Sequence, residues 1–157
     1  MYEGDFIFSD AQDLSTLDST GEISDYYWNL EDSASGSALN QTDLMVSGWL
    51  NIVILATTNT GGDEGLDVAL QAASNTALTT NPMVLAAVRI PQDEIVAGNV
   101  FCVGACRAKV EQYLGVWFKA ASTSLTGATT VDVYFSDQPQ LHSPSDNTQK
   151  RSNSSFG

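Results

Sequence analysis

The sequence predicts an all-β protein, a jelly roll or β-sandwich of about eight strands, and three observations carry that prediction. Apolar and polar residues alternate over short runs. No segment keeps a helical period for three turns. Gly, Thr and Ser punctuate the 157-residue chain at short intervals.

The clearest strands are those that alternate. Leu66-Asp67-Val68-Ala69-Leu70-Gln71-Ala72 places Leu66, Val68 and Leu70 on one face, and Val131-Asp132-Val133-Tyr134-Phe135-Ser136 does the same with Val131, Val133 and Phe135. Gly115-Val116-Trp117-Phe118-Lys119-Ala120 is a third run, with Val116 and Phe118 inward and Trp117 outside the sandwich or under a partner. The more uniformly apolar run Leu44 to Leu55 reads as a long central strand bent at Gly48. Met83 to Ile90, bracketed by Pro82 and Pro91, has a Leu/Ala middle that also suits a helix and is read as a strand, and Asn99 to Cys106 makes another strand. Asp25 to Leu30 is a weaker strand and Phe6-Ile7-Phe8 a short one. Turns are expected at Thr58 to Asp63 and Thr123 to Gly127.

This pattern divides the chain into an N-terminal arm over 1–24, a β domain over 25–137 and a flexible polar tail over 138–157. The arm assignment follows from its small polar residues and few aliphatics. The tail is rich in Ser, Asn, Pro and Gln, with almost no aliphatic residue to bury.

Charge narrows the function classes. There are 19 acidic and 6 basic residues, a formal net charge of −13. Residues 1–88 hold 13 of the acids and no Lys or Arg, so the front half repels anionic surfaces and attracts basic ones. Phosphate neutralisation needs clustered Lys and Arg, so no nucleic-acid partner is expected. No apolar run is long enough to span a membrane, and the first residues lack a signal-peptide pattern. A cytoplasmic site of folding with reduced thiols is therefore expected.

No catalytic constellation is legible, and no cofactor is expected. His142 is the single histidine and lies in the tail, so no His-based triad can be assembled on the body. Cys102 and Cys106 would sit about 13 Å apart along a strand, too far for a disulfide, and read as small buried hydrophobes. The acidic turn Gly61 to Asp67 offers Asp63, Glu64 and Asp67 as a weak calcium candidate, because hard cations take oxygen ligands. The spacing is not that of an EF-hand, and a solvated acidic turn is the simpler reading. Nothing selects a carboxylate pair for glycoside hydrolysis from the 19 acids. The aromatic group Tyr26, Tyr27 and Trp28, with Trp49 and Trp117, either packs in the core, lines a sugar-binding face or anchors a protein interface. Neighbours on a strand face opposite ways, so Tyr26, Tyr27 and Trp28 cannot all be buried in one sheet.

Several of these segments, taken in order, resemble the capsid cement (decoration) proteins of tailed bacteriophages, of the type found on short-tailed Bordetella phages. The opening Phe6-Ile7-Phe8-Ser9-Asp10-Ala11-Gln12 is similar to the family's Phe-Ser-Asp-Ala-Gln start. Ser15-Thr16 and Asp18-Ser19-Thr20 continue it, and Leu66 to Gln71 resembles its Leu-x-Val-x-Leu-Gln strand. Gln112-Tyr113-Leu114-Gly115-Val116 resembles the Arg-Tyr-Leu-Arg strand, with Gln112 and Gly115 in place of the two arginines, followed by the hairpin at Thr126-Gly127.

The resemblance implies a jelly roll that self-associates as a dimer or trimer and binds the outside of a phage head built from a different, major capsid protein. The chain would be made in the host bacterial cytoplasm and end on the virion exterior. Interface residues expected on this reading are Phe6, Phe8, Asp10, Asp13, Tyr26, Tyr27, Trp28 and Trp117, with the acidic arm reaching a basic capsid patch. The rival expectation is a jelly-roll carbohydrate-binding module using an aromatic face and a calcium loop.

Overall fold

In the computed structural model, residues 6–29, 48–58, 65–105, 112–122, 124–125, 127–136 and 139 are described. They form nine strands: β1 (Phe6–Asp13), β2 (Glu22–Ile23), β3 (Trp28–Asn29), β4 (Trp49–Thr57), β5 (Leu66–Ala73), β6 (Met83–Ile90), β7 (Val100–Gly104), β8 (Tyr113–Ala120) and β9 (Thr129–Ser136). A single 3₁₀ turn, Gln92–Glu94, is the one helical element among the described residues. The strands make two antiparallel sheets, one in the order β1-β9-β4-β7 and the other β2-β8-β5-β6, with β3 also paired to β8. The chain crosses repeatedly between the sheets, so sequence neighbours often lie in opposite layers. This is the all-β sandwich that the alternating runs predict.

Alternation explains the core. Leu50, Ile52 and Ile54 of β4 and Val131, Val133 and Phe135 of β9 meet Leu66, Val68 and Leu70 of β5 and Leu114, Val116 and Phe118 of β8. All of these are buried. Dry contact between the two inner faces holds the layers together, at roughly 1.5–3 kcal/mol for each large aliphatic or aromatic side chain removed from water. Asn51 and Val53 on β4 alternate to the other face, yet are fully buried too. The Asn51 amide is satisfied by donating to Ser136 Oγ at 2.8 Å.

Three expectations change. Residues 6–24 are part of the body, not an arm. β1 is a full edge strand pairing along β9 from Phe6↔Phe135 to Asp13↔Thr130, and Phe8, Leu14 and Leu17 are buried in the core. The physical reason is a bulge: two register shifts between Ile7 and Gln12, with Ala11 at φ 51°, break the alternation that would otherwise mark the strand. The long central strand begins at Trp49, so Gly48 precedes it instead of bending it, and residues 44–47 lie outside the described residues. Gly48 is required for packing, since a Cβ there would lie 1.7 Å from the Phe135 ring. Of the strand expected over Asp25 to Leu30, Trp28 and Asn29 form β3, Asp25 to Tyr27 precede it, and Leu30 lies outside the described residues.

Candidate functional site

Two surfaces stand out from the residues upward. The first is the edge made by β1, β2 and the loops around them. Gln12, almost fully buried, is its hub: Ser9 Oγ donates to Gln12 Oε1 at 2.6 Å, the Asp25 N–H donates to the same oxygen at 3.1 Å, and Gln12 Nε2 donates to the Ile23 carbonyl at 2.9 Å. The Ala11 N–H, turned outward by the bulge, donates to Asp132 Oδ1 at 2.7 Å. Thus the Ser-Asp-Ala-Gln stretch that carries part of the family resemblance acts in this fold as a latch joining the first sheet to the second.

Around this latch Asp13, Asp18 and Asp25 lie near Glu22, whose carboxylate also accepts from Gln12 Nε2 at 3.4 Å, and Asp10 is exposed on β1. Glu22 registers the crowding. Partial burial raises its pKa above the ordinary 4.5, and the charges of Asp25, Asp13 and Asp18 push it in the same direction. Asp18 is lowered, because the Thr20 hydroxyl and the Thr20 and Gly21 N–H groups donate to its carboxylate. Tyr26 and Tyr27 follow Asp25 directly and are 55% and 47% exposed, among the most exposed large hydrophobic side chains described.

The second surface is the outer face of the five-stranded sheet. Cross-strand register sets Ala87, Ala69, Trp117 and Ile23 in one row, and Arg89, Asp67 and Lys119 in the next. The two alanines make a low floor between the Trp117 indole and the charged row, leaving an open groove of about 420 Å³. Arg89 grips Asp67 with two bonds, Nε to Oδ1 at 2.6 Å and Nη2 to Oδ2 at 2.8 Å. Those bonds, with the Lys119 charge nearby, hold the Asp67 carboxyl below its ordinary 3.8. Arg89 and Lys119 are the two cations among the described residues, and both stand here.

At the other end of this face the Tyr27 ring meets Tyr113 edge-on at 5.7 Å, and Tyr27 Cβ lies 3.5 Å from where a Gly115 Cβ would be. Gly21, at φ +85°, runs against the indole edge, and a Cβ there would lie 2.5 Å from the Trp117 nitrogen.

The expected site residues therefore separate. Tyr26, Tyr27, Asp10 and Asp13 are exposed, and Trp117 lies half-buried on the outer face as its alternation with Val116 and Phe118 requires. Phe8 is 1% exposed and belongs to the core, which removes it from any interface. Trp28 is half-buried and packs on the core. Phe6 pairs with Phe135 through the backbone. Asp67 stands on β5 in an exposed ion pair with Arg89, and its fellow calcium candidates Asp63 and Glu64 lie outside the described residues. So do Cys106 and His142; Cys102 is half-buried on β7. Among the described residues no three of His, Cys, Asp and Glu gather as a metal site.

Sequence reasoning missed Glu22, Ala69, Ala87, Arg89 and Lys119 as surface partners. For Ala69, Ala87, Arg89 and Lys119 the signal was present in the phase of each strand, since each faces opposite to the aliphatic set, but it becomes readable only once the pairing of β5, β6 and β8 is known; Glu22 instead pairs with the buried Phe118 at the sheet edge, and nothing in its local pattern marks it. A scan against models of protein families found no match, and a search of curated proteins found no similar sequence.

Proposed function

We propose that this chain is a structural cement protein on the outside of a tailed-phage head, acting by binding and not by catalysis. The observation that carries the reading is the β1–β2 border: carboxylates and two exposed tyrosines fixed on a rigid sandwich edge by the buried Gln12 latch. Such a border suits a basic protein surface. Bringing cations to Asp13, Asp18, Glu22 and Asp25 relieves their mutual repulsion, and the tyrosines add contact area at low entropic cost. The strand order supports a jelly roll as well. With β2 and β3 counted as one strand, the sheets run 1-8-3-6 and 2-7-4-5, the interleaving produced when a long hairpin folds over into two layers. The partner in this reading is the major capsid protein, with self-association multiplying the contacts each cement particle makes.

Cementing needs no chemistry beyond binding. A protein that bridges neighbouring capsomers adds interface that must be broken before the shell opens, so it shifts the equilibrium toward the closed shell. Purified protein added to expanded shells that lack it should co-sediment at a fixed ratio to the major capsid protein and raise the temperature of shell rupture. Absence of saturable binding would refute the reading.

One observation favours the rival. The groove beside Trp117 sets an aromatic ring next to groups of both charges, an arrangement that also suits a sugar ring. Saturable binding on a glycan array, lost on Trp117→Ala, is expected from a carbohydrate-binding module alone.

A further inference from the structure

We propose that the groove beside Trp117 binds a carboxylated sugar, a hexuronate unit of an acidic polysaccharide, with the sugar ring against the indole and its carboxylate on Lys119. The inference rests on the carbohydrate-binding alternative, to which it gives a ligand class. It is independent of the cement reading, because the groove and the β1–β2 border share no residue.

Register makes the shape. Ala87, Ala69 and Trp117 stand in one row across β6, β5 and β8, so the indole rises at one end of a floor of two methyl groups. Arg89, Asp67 and Lys119 form the next row along the same three strands. Three strands by two rows give a footprint of about 10 Å by about 7 Å, which suits one pyranose ring lying flat. Gly21 packs against the nitrogen edge of the indole, which holds the ring as a fixed wall. The electron-rich face of such a ring attracts the C–H groups that one side of a pyranose presents. The lining residues all belong to β5, β6 and β8, so among the described residues no loop walls off an end. A polysaccharide chain can therefore run through.

Charge selects the sugar. Both described cations of a chain at −13 stand in this one row. Asp67 engages Arg89 through Nε and Nη2, which leaves Nη1 of a side chain that is 66% exposed. Lys119 is exposed and makes no ion pair among the described residues. The row thus carries one net positive charge, at Lys119, beside a fixed pair that both donates and accepts. Vicinal hydroxyls also donate and accept, so they match Arg89 and Asp67. A carboxylate on the same ring matches Lys119, which lies about 7 Å along β8 from Trp117, within the span of its own stem. Charges beyond about 8 Å are screened at physiological ionic strength, so this local balance outweighs the net charge of the chain. A nucleic-acid strand fits less well, since it brings a phosphate with every base toward the Asp67 carboxylate.

The test is titration calorimetry of the full chain at physiological ionic strength, with thermal melts as folding controls. The probes are a tri-galacturonate and the same trisaccharide with its carboxylates reduced to alcohols. Wild type should bind the acid saturably, with Kd below ~1 mM, and the reduced sugar ~10-fold more weakly. Lys119→Gln should lose ~10-fold toward the acid and nothing toward the reduced sugar, which abolishes the preference. Trp117→Ala should lose ~10-fold or more toward both probes. Ala87→Gln, which fills the floor from an exposed edge-strand position, should weaken both with its melt unchanged. Absence of saturable binding by wild type overturns the proposal, as does equal binding of the two probes or an acid preference that survives Lys119→Gln. Tighter binding of a sialylated trisaccharide would overturn the hexuronate assignment, and tighter binding of an oligothymidylate would overturn the sugar altogether. Shell binding should be the same in Lys119→Gln as in wild type; its loss there would give the face to the capsid and overturn the proposal. Sugar binding as predicted by a chain that ignores shells would count against the cement reading alone.

Discussion

Along the β1–β2 border, Asp13, Asp18 and Asp25 lie near Glu22 with no described cation among them, whereas on the outer face of the five-stranded sheet Asp67 is flanked by Arg89 and Lys119. The two regions are built by the same sandwich, yet they resolve charge in opposite ways. Asp67 is stabilised as a carboxylate by its own sheet. Glu22 is held above its ordinary pKa by partial burial and by its acidic neighbours. An uncompensated carboxylate on a well-fixed backbone is a place where a partner gains more than the isolated fold does. The balanced face, by contrast, offers shape: a floor of two alanines beside a tryptophan.

The largest expected effect tests where the border ends and the core begins. Phe8→Ala should cost about 3–5 kcal/mol in chemical denaturation, because its ring is in the core. A stable variant with only a binding defect would return Phe8 to the surface. Gln12→Ala should cost about 2–3 kcal/mol, since it leaves the Ile23 carbonyl and the Asp25 N–H without their partner. It should also weaken shell binding, by loosening the border that carries the carboxylates. Gly21→Ala joins the two regions. A left-handed backbone and the Trp117 edge both oppose a Cβ there, for a loss of about 1–2 kcal/mol read by thermal melting.

The smallest effects carry the sign of the comparison. Glu22 has a raised pKa, so its ionised form is disfavoured in the fold, and stability should increase as the pH falls from neutral through its folded value. Glu22→Gln should remove that increase and stabilise the isolated protein at neutral pH, screened by solvent to about 0.5 kcal/mol or less. Asp67 runs the other way. Its contribution is present above its unfolded value and is lost as the pH falls through the lowered folded one. Arg89→Ala should abolish that acid-side loss with little change in the neutral-pH melt, since the pair is solvent-exposed. Parallel pH curves for the two variants would contradict the contrast between the regions.

What the sequence made legible follows from period. Leu66, Val68 and Leu70, or Val131, Val133 and Phe135, announce a strand with one face on a core because two-residue alternation survives any pairing. Trp117 was placed on the outside by the same logic. Of residues 6–24, the short strand Phe6-Ile7-Phe8 was legible and its continuation into the body was not, for two physical reasons. A bulge at Ala11 shifts the phase between Phe8 and Leu14, and the strand that β1 needs, β9, lies more than a hundred residues away. The groove was hidden for a related reason: Ala69 and Ala87 are unremarkable until hydrogen-bond register sets them side by side next to Trp117. Of the candidate site, the exposed tyrosines and aspartates were readable as residues, but their grouping on one latched border was not.

The most direct test of the central claim is shell binding by a chain whose border is neutralised as Asp13→Asn, Glu22→Gln and Asp25→Asn, measured beside the wild type over a salt series. The account predicts saturable binding by wild type that weakens with salt, and a variant that keeps its melt but loses most of its affinity and its salt dependence. Equal binding and equal salt dependence for the two chains would contradict it.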